Sequence, residues 1–109
     1  MLIFEYNNII KTKVKSMRKE RIEQLAEKFK ALAHPTRLQI VMGLISKDEC
    51  NVTKMTENLK IPQPTISQHI SILKNSGIIE GYRKGNQICY RVVSDEVRKI
   101  FSVIDLSDK

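Results

Sequence analysis

Apolar positions recur with a helical period through most of the chain and switch to strand spacing only near its end. Between Ser16 and Leu32, the residues Ile22, Leu25, Phe29 and Leu32 fall on one stripe, with Arg, Lys and Glu elsewhere. This predicts a long amphipathic helix. "HPTR" interrupts it: His34 precedes a proline and is pushed toward extended geometry, and Pro35 suits the first turn of the next helix, where its missing N–H would be unpaired anyway. That second helix carries Leu38, Val41, Leu44 and Ile45 and runs to about Ser46. "KDEC" is a polar turn, after which Asn51 or Thr53 can cap a short third helix with Met55 and Leu59 inward.

The next stretch, "IPQPTISQHISILKNSGII", divides its residues between two faces. At about 100° per residue, Ile66, Ile70 and Leu73 share one stripe, while Ser67, Gln68, Ser71 and Asn75 cluster on the other. Pro62 blocks an earlier start, so a helix of about three turns begins near Gln63 or Pro64, and Gly77 stands where a left-handed terminator is expected. Serine is a mediocre helix former, so this polar face is either a solvated surface or one put to use. Ile78–Tyr82 and Gln87–Val93 are rich in strand formers and flank "RKGN", whose Gly85-Asn86 pair suits a hairpin turn. This makes a two-stranded ribbon with Arg83 and Lys84 at its tip. Ser94, followed by Asp95 and Glu96 at the favourable end of the helix dipole, opens a last helix with Val97, Ile100, Phe101 and Ile104 on one stripe. The fold class is therefore mainly α with a small β-hairpin, a helix-turn-helix followed by a wing.

Composition narrows the function. The 109 residues suit one domain, residues 16–109, behind an N-terminal arm of residues 1–15, and the core is lean in aromatics, with three Tyr, three Phe and no Trp. A symmetric partner would cover stripes that a lean monomer leaves bare, so a homodimer is expected. The net charge of +7 is spread over all but the C-terminal end, which fits a polyanionic partner better than a small acidic substrate. No apolar run approaches a membrane span, and "MLIFEYNNII" lacks the basic start and cleavage site of a signal peptide, so the expected location is the cytoplasm.

"LAHPTRLQIVMGL", "NVTKMTENLKIPQPTISQHISILKNSGII" and "YRKGNQICYRV" together resemble the ArsR/SmtB family of winged-helix bacterial repressors over about residues 30–94. The resemblance implies a homodimer built from the first and last helices, bound to double-stranded DNA with the fourth helix in the major groove. Carried onto this chain, the reading residues are Gln63, Thr65, Ser67 and Gln68, with Ser71 on the same face; amides and hydroxyls can both donate to and accept from base edges. Arg83, Lys84 and Asn86 of the wing would meet backbone or minor groove, which positions the protein rather than specifying sequence. The implied dimer interface takes Ile22, Leu25 and Phe29 from the first helix and Ile100, Phe101 and Ile104 from the last. His69 borders the apolar stripe, as a half-buried hydrogen-bonded residue or a DNA contact; Arg37 can reach phosphate or join a surface ion pair.

The usual metal sites of that family are incomplete. Where a Cys-x-Cys pair would open the third helix, Cys50 is followed by Val52 in the second thiolate position, and the last helix has Asp95 but no His. No metal at either usual site and no cofactor are expected, which leaves a ligand or metal site of different design, a thiol switch or no effector at all; the sequence does not identify an inducer. Cys50 and Cys89 lie far apart with no CxxC, which argues against a structural zinc site or a disulfide scaffold; they are either small packing residues or a candidate redox pair, since the short strand that the resemblance implies at Cys50 would run beside the wing strand that holds Cys89. A bridge between them would tie the third helix to the wing and disturb the reading head. Enzymatic activity is not expected, because the chain offers no nucleophile with a positioned base and no glycine-rich phosphate loop. The leading function is a sequence-specific transcriptional repressor on a palindromic operator; the alternative is a winged helix used as a protein-interaction module.

Overall fold

A computed structural model of the chain describes residues 18–46 and 50–104. The expected arm, the first two residues of the expected first helix and most of the "KDEC" turn lie outside the described residues. Five helices and one hairpin follow in the order α1 (residues 18–32), α2 (Pro35–Ser46), α3 (Val52–Leu59), α4 (Gln63–Asn75), β1 (Ile79–Lys84), β2 (Gln87–Val92) and α5 (Asp95–Val103).

Local chemistry accounts for most boundaries. Asn51, rather than Thr53, caps α3: its side chain accepts from the Lys54 amide at 2.8 Å. The helix ends at Lys60, whose left-handed backbone (φ 57°) turns its amide onto the Thr56 carbonyl at 2.9 Å and lets Pro62 open α4 three residues after Leu59. Gly77 takes φ +82° just beyond α4, a conformation that costs glycine nothing and turns the chain into the hairpin. Ser94 caps α5 by accepting from the Val97 amide.

One core joins these elements. Ala31 and Leu32 from the end of α1, Ile40 and Val41 from α2, Met55 from α3, and Ile66, Ile70 and Leu73 from α4 pack with Ile78, Ile79, Val92 and Val97. The hairpin is antiparallel, pairing Ile79 with Val92 at its base and Lys84 with Gln87 at its tip. Its outer edge carries a further antiparallel bridge, Asn51 to Cys89, so β2 lies between β1 and the segment that leads into α3.

Several positions depart from the expected stripes. Leu38 is 41% exposed, because α2 turns Ile40, Val41 and Gly43 inward instead. The strands are Ile79–Lys84 and Gln87–Val92 rather than starting at Ile78 and ending at Val93. Ile78 forms a buried corner whose carbonyl accepts from the Val93 amide at 2.9 Å. Ile104 lies just beyond α5 in extended geometry.

Candidate nucleic-acid interface

The two faces of α4 separate as their composition requires. Ile66 and Leu73 are fully buried and Ile70 nearly so, which seats the helix on the core and fixes its rotation about its own axis. Gln63, Thr65, Ser67, Gln68 and Ser71 are all exposed on the surface this leaves. The helix starts with Pro62 at its N-cap and Pro64 in its first turn, so no side chain caps it and the amide of Gln63 remains available. Hydroxyl and amide groups thus crowd around the positive end of a helix dipole, a setting favourable to phosphate oxygens.

The wing supplies charge. Gly85 has φ +65° and Asn86 does not share the left-handed region, so only the first turn position needs glycine. Arg83, Lys84 and Asn86 are exposed around this turn. Glu80 lies opposite Arg91 in the ladder and takes its guanidinium at 2.9 Å, while the same guanidinium lies 4.9 Å from the centre of the Tyr82 ring. Among the described residues, neither Arg83 nor Lys84 has an ion-pair partner, which leaves the tip cationic.

Behind this surface, three links set the orientation of α4 and the wing. Arg37 Nε donates to the Ala31 carbonyl at the end of α1, and its Nη1 lies 3.3 Å from His69 Nδ1 on α4. Arg37 therefore braces three helices, and among the described residues it forms no ion pair with a carboxylate. His69 is half-buried, and its ring centre is 4.7 Å from that of His34, whose own Nδ1 accepts the Thr36 amide at the start of α2. Burial, with lesser contributions from His34 and Arg37, holds the His69 pKa below its ordinary value of 6.5. The third link runs from Asn51 to the wing: its Nδ2 donates to Gln87 Oε1 at 3.0 Å. Gln87 escapes any sequence reading, because its partner is 36 residues away and nothing local distinguishes it.

Cys50 and Cys89 are joined as a disulfide with a Cα separation of 4.7 Å. The residues expected at a dimer interface divide. Ile22 and Phe29 are 62% and 51% exposed, and Ile104 is also exposed, whereas Leu25 and Ile100 are half-buried and Phe101 packs partly against the protomer's own core. Val103, which the stripe passed over, is 82% exposed. The ends of the fold are held together by Arg21 and Lys28 of α1, which both reach Glu96 of α5, at 3.3 and 3.8 Å. No group of three or more His, Cys, Asp or Glu suited to a metal ion occurs among the described residues.

Comparison with known proteins agrees with this geometry. The family model described as "Bacterial regulatory protein, arsR family" matches residues 34–81, from the turn before α2 into β1. The chain is 42% identical over 86 residues to the HTH-type transcriptional regulator MJ1325 of Methanocaldococcus jannaschii, covering 79% of this chain and 97% of that protein. Its structure superposes on the transcriptional repressor PagR of Bacillus anthracis with a TM-score of 0.73 and 33% identity, over 80% of this chain and 99% of PagR. It also matches the homodimeric winged helix-turn-helix DNA-binding domain of Mb0332 from Mycobacterium bovis, with a TM-score of 0.71, 28% identity and 79% of each chain covered. With a polar helix presented beside a cationic wing, and with such relatives matched over 79–99% of their own length, the chain belongs to the arsR family of bacterial regulatory proteins.

Proposed function

We propose that the chain is a sequence-specific transcriptional repressor that occupies a palindromic operator as a homodimer and performs no chemistry on the DNA. The observation that carries this reading is the exposed row of Gln63, Thr65, Ser67, Gln68 and Ser71, held outward by buried Ile66, Ile70 and Leu73 beside the exposed cations Arg83 and Lys84 of the wing. A protein-interaction module would have no need of that combination. Amides and hydroxyls discriminate base edges in the major groove, whereas Arg83, Lys84 and Asn86 hold backbone or minor groove and set register.

Exposed Ile22, Phe29 and Val103 on the terminal helices, with Ile104 just beyond α5, support the dimer, as does the homodimeric state of the Mb0332 domain. The working place is the cytoplasm, where the DNA is, and no described helix is long and apolar enough to cross a membrane. Two reading helices related by a two-fold meet major grooves on one face of the duplex when half-site centres lie about 34 Å apart or a multiple of it. Selection from a random duplex library followed by footprinting tests this. A protected inverted repeat with that spacing is expected, and protection of a single half-site by a monomer would refute it.

A further inference from the structure

We propose that Cys50 and Cys89 form a reversible dithiol–disulfide site whose oxidised state holds the wing to the reading head and raises DNA affinity. This rests on the DNA-binding reading above and adds a regulator to it. The two residues are 39 apart in sequence, and the loop they close contains α3, α4, β1 and the turn of the wing, which together present all the candidate DNA contacts. Their Cα separation of 4.7 Å lies within the span that a disulfide bridges without backbone movement.

The backbone around the pair is ordered by the same juxtaposition. The Tyr90 amide donates to the Cys50 carbonyl at 2.8 Å, Asn51 and Cys89 form the antiparallel bridge, and Asn51 still caps α3 while binding Gln87. The oxidised pair therefore sits inside an intact winged helix. This reverses the expected sign: the bridge does not disturb the reading head but preorganises it. With the bond broken, the two sulfurs must separate to non-bonded contact in a site where Cys89 is fully buried, and β2 is tied to the segment entering α3 by the Tyr90 and Gln87 hydrogen bonds without the covalent link. A looser wing must be ordered again on binding, and that entropy is taken from affinity.

The chemistry needs hydrogen peroxide as oxidant and a dithiol as reductant. Cys50 is only half-buried and Cys89 is fully buried, so Cys50 reacts first. Its thiolate attacks one peroxide oxygen, forming S–O and breaking O–O; the departing hydroxide takes the thiol's proton and leaves as water. The Cys89 thiolate then attacks the Cys50 sulfenic sulfur, forming S–S and expelling hydroxide, which takes the Cys89 proton as a second water. Two electrons and two protons leave the thiols. A dithiol reverses the bond by exchange and is itself oxidised to a disulfide. In a compartment kept reducing, a bridge of this kind is typically transient.

The test uses the full chain with a duplex selected by it from a random library. Wild type, Cys50→Ser and a Cys50→Ala/Cys89→Ala variant are each treated with dithiothreitol or with hydrogen peroxide. Alkylation and mass spectrometry count free thiols, a mobility shift measures affinity, and amide exchange follows Tyr90. Peroxide should remove both free thiols of wild type, slow Tyr90 exchange and tighten DNA binding by about tenfold, whereas both variants should bind equally under the two treatments. Failure of peroxide to form the bond, resistance of the bond to dithiothreitol in the folded protein, or equal wild-type affinities would each overturn the proposal. A bond that cycles in a protein that binds no duplex in either state would instead refute the DNA-binding reading, and the regulator with it.

Discussion

Replacing Arg37 with alanine should cost about 2–3 kcal/mol of folding stability, with part of that loss coupled to His69. Arg37 Nε holds the Ala31 carbonyl, and Nη1 faces His69 Nδ1 at 3.3 Å, donating to it when the ring proton is on Nε2. Hydrogen bonds to charged groups contribute roughly 1.5–3 kcal/mol each. Both residues are half-buried, so water reaches part of the site and the low end of that range applies to the Ala31 bond. The longer contact to His69 should be worth about 1 kcal/mol. A cycle of Arg37→Ala, His69→Ala and the double variant isolates that contact, because the Ala31 bond is absent from both variants that lack Arg37. Urea denaturation followed by far-ultraviolet circular dichroism gives the energies by linear extrapolation, at fixed protomer concentration because a dimer's midpoint moves with concentration. Additivity within about 0.3 kcal/mol would refute Arg37 as a brace on α4.

Helix and wing should divide the binding energy: Gln63→Ala or Ser67→Ala should cost roughly 1–3 kcal/mol and relax base preference, whereas Lys84→Ala should weaken all sequences alike and lower the salt slope by about one unit. Selected-site binding at two salt concentrations checks this, and an altered base preference for Lys84→Ala alone would reverse the assignment. Phe29→Glu puts a charge on an exposed apolar position of α1 and should yield folded monomer with lost operator affinity by sedimentation. It is a cleaner probe than Phe101→Glu, because Phe101 also packs on the protomer's own core. Finally, the lowered His69 pKa means that the unfolded chain takes up this proton first, so stability should fall as pH drops through about 6.5 and level off below the folded value. His69→Gln should flatten that part of the profile; identical slopes in wild type and variant would remove His69 as the cause.

Much of the fold was legible because its punctuation is local. Pro35, Asn51, Pro62, Gly77 and Ser94 each act on the backbone within a few residues, and they mark the turns and helix ends where the structure has them. The two faces of α4 were legible for a related reason: a helix with only Ile66, Ile70 and Leu73 to bury has one way to sit on a core. One stripe misled. Leu38 lies on an arc wide enough to face either way, and the neighbours packed against α2 decide which side is covered.

Period and punctuation by themselves determined the order of elements, the outward polar face of α4 and the cationic wing. Tertiary structure alone decided the links between them: Arg37 to Ala31 and His69, Asn51 to Gln87, and Cys50 to Cys89. Each of the last two joins residues more than 30 apart, and each exists because β2 lies between β1 and the segment entering α3. Strand adjacency is a long-range event, set by how the whole core closes, and no pattern within a single element encodes it.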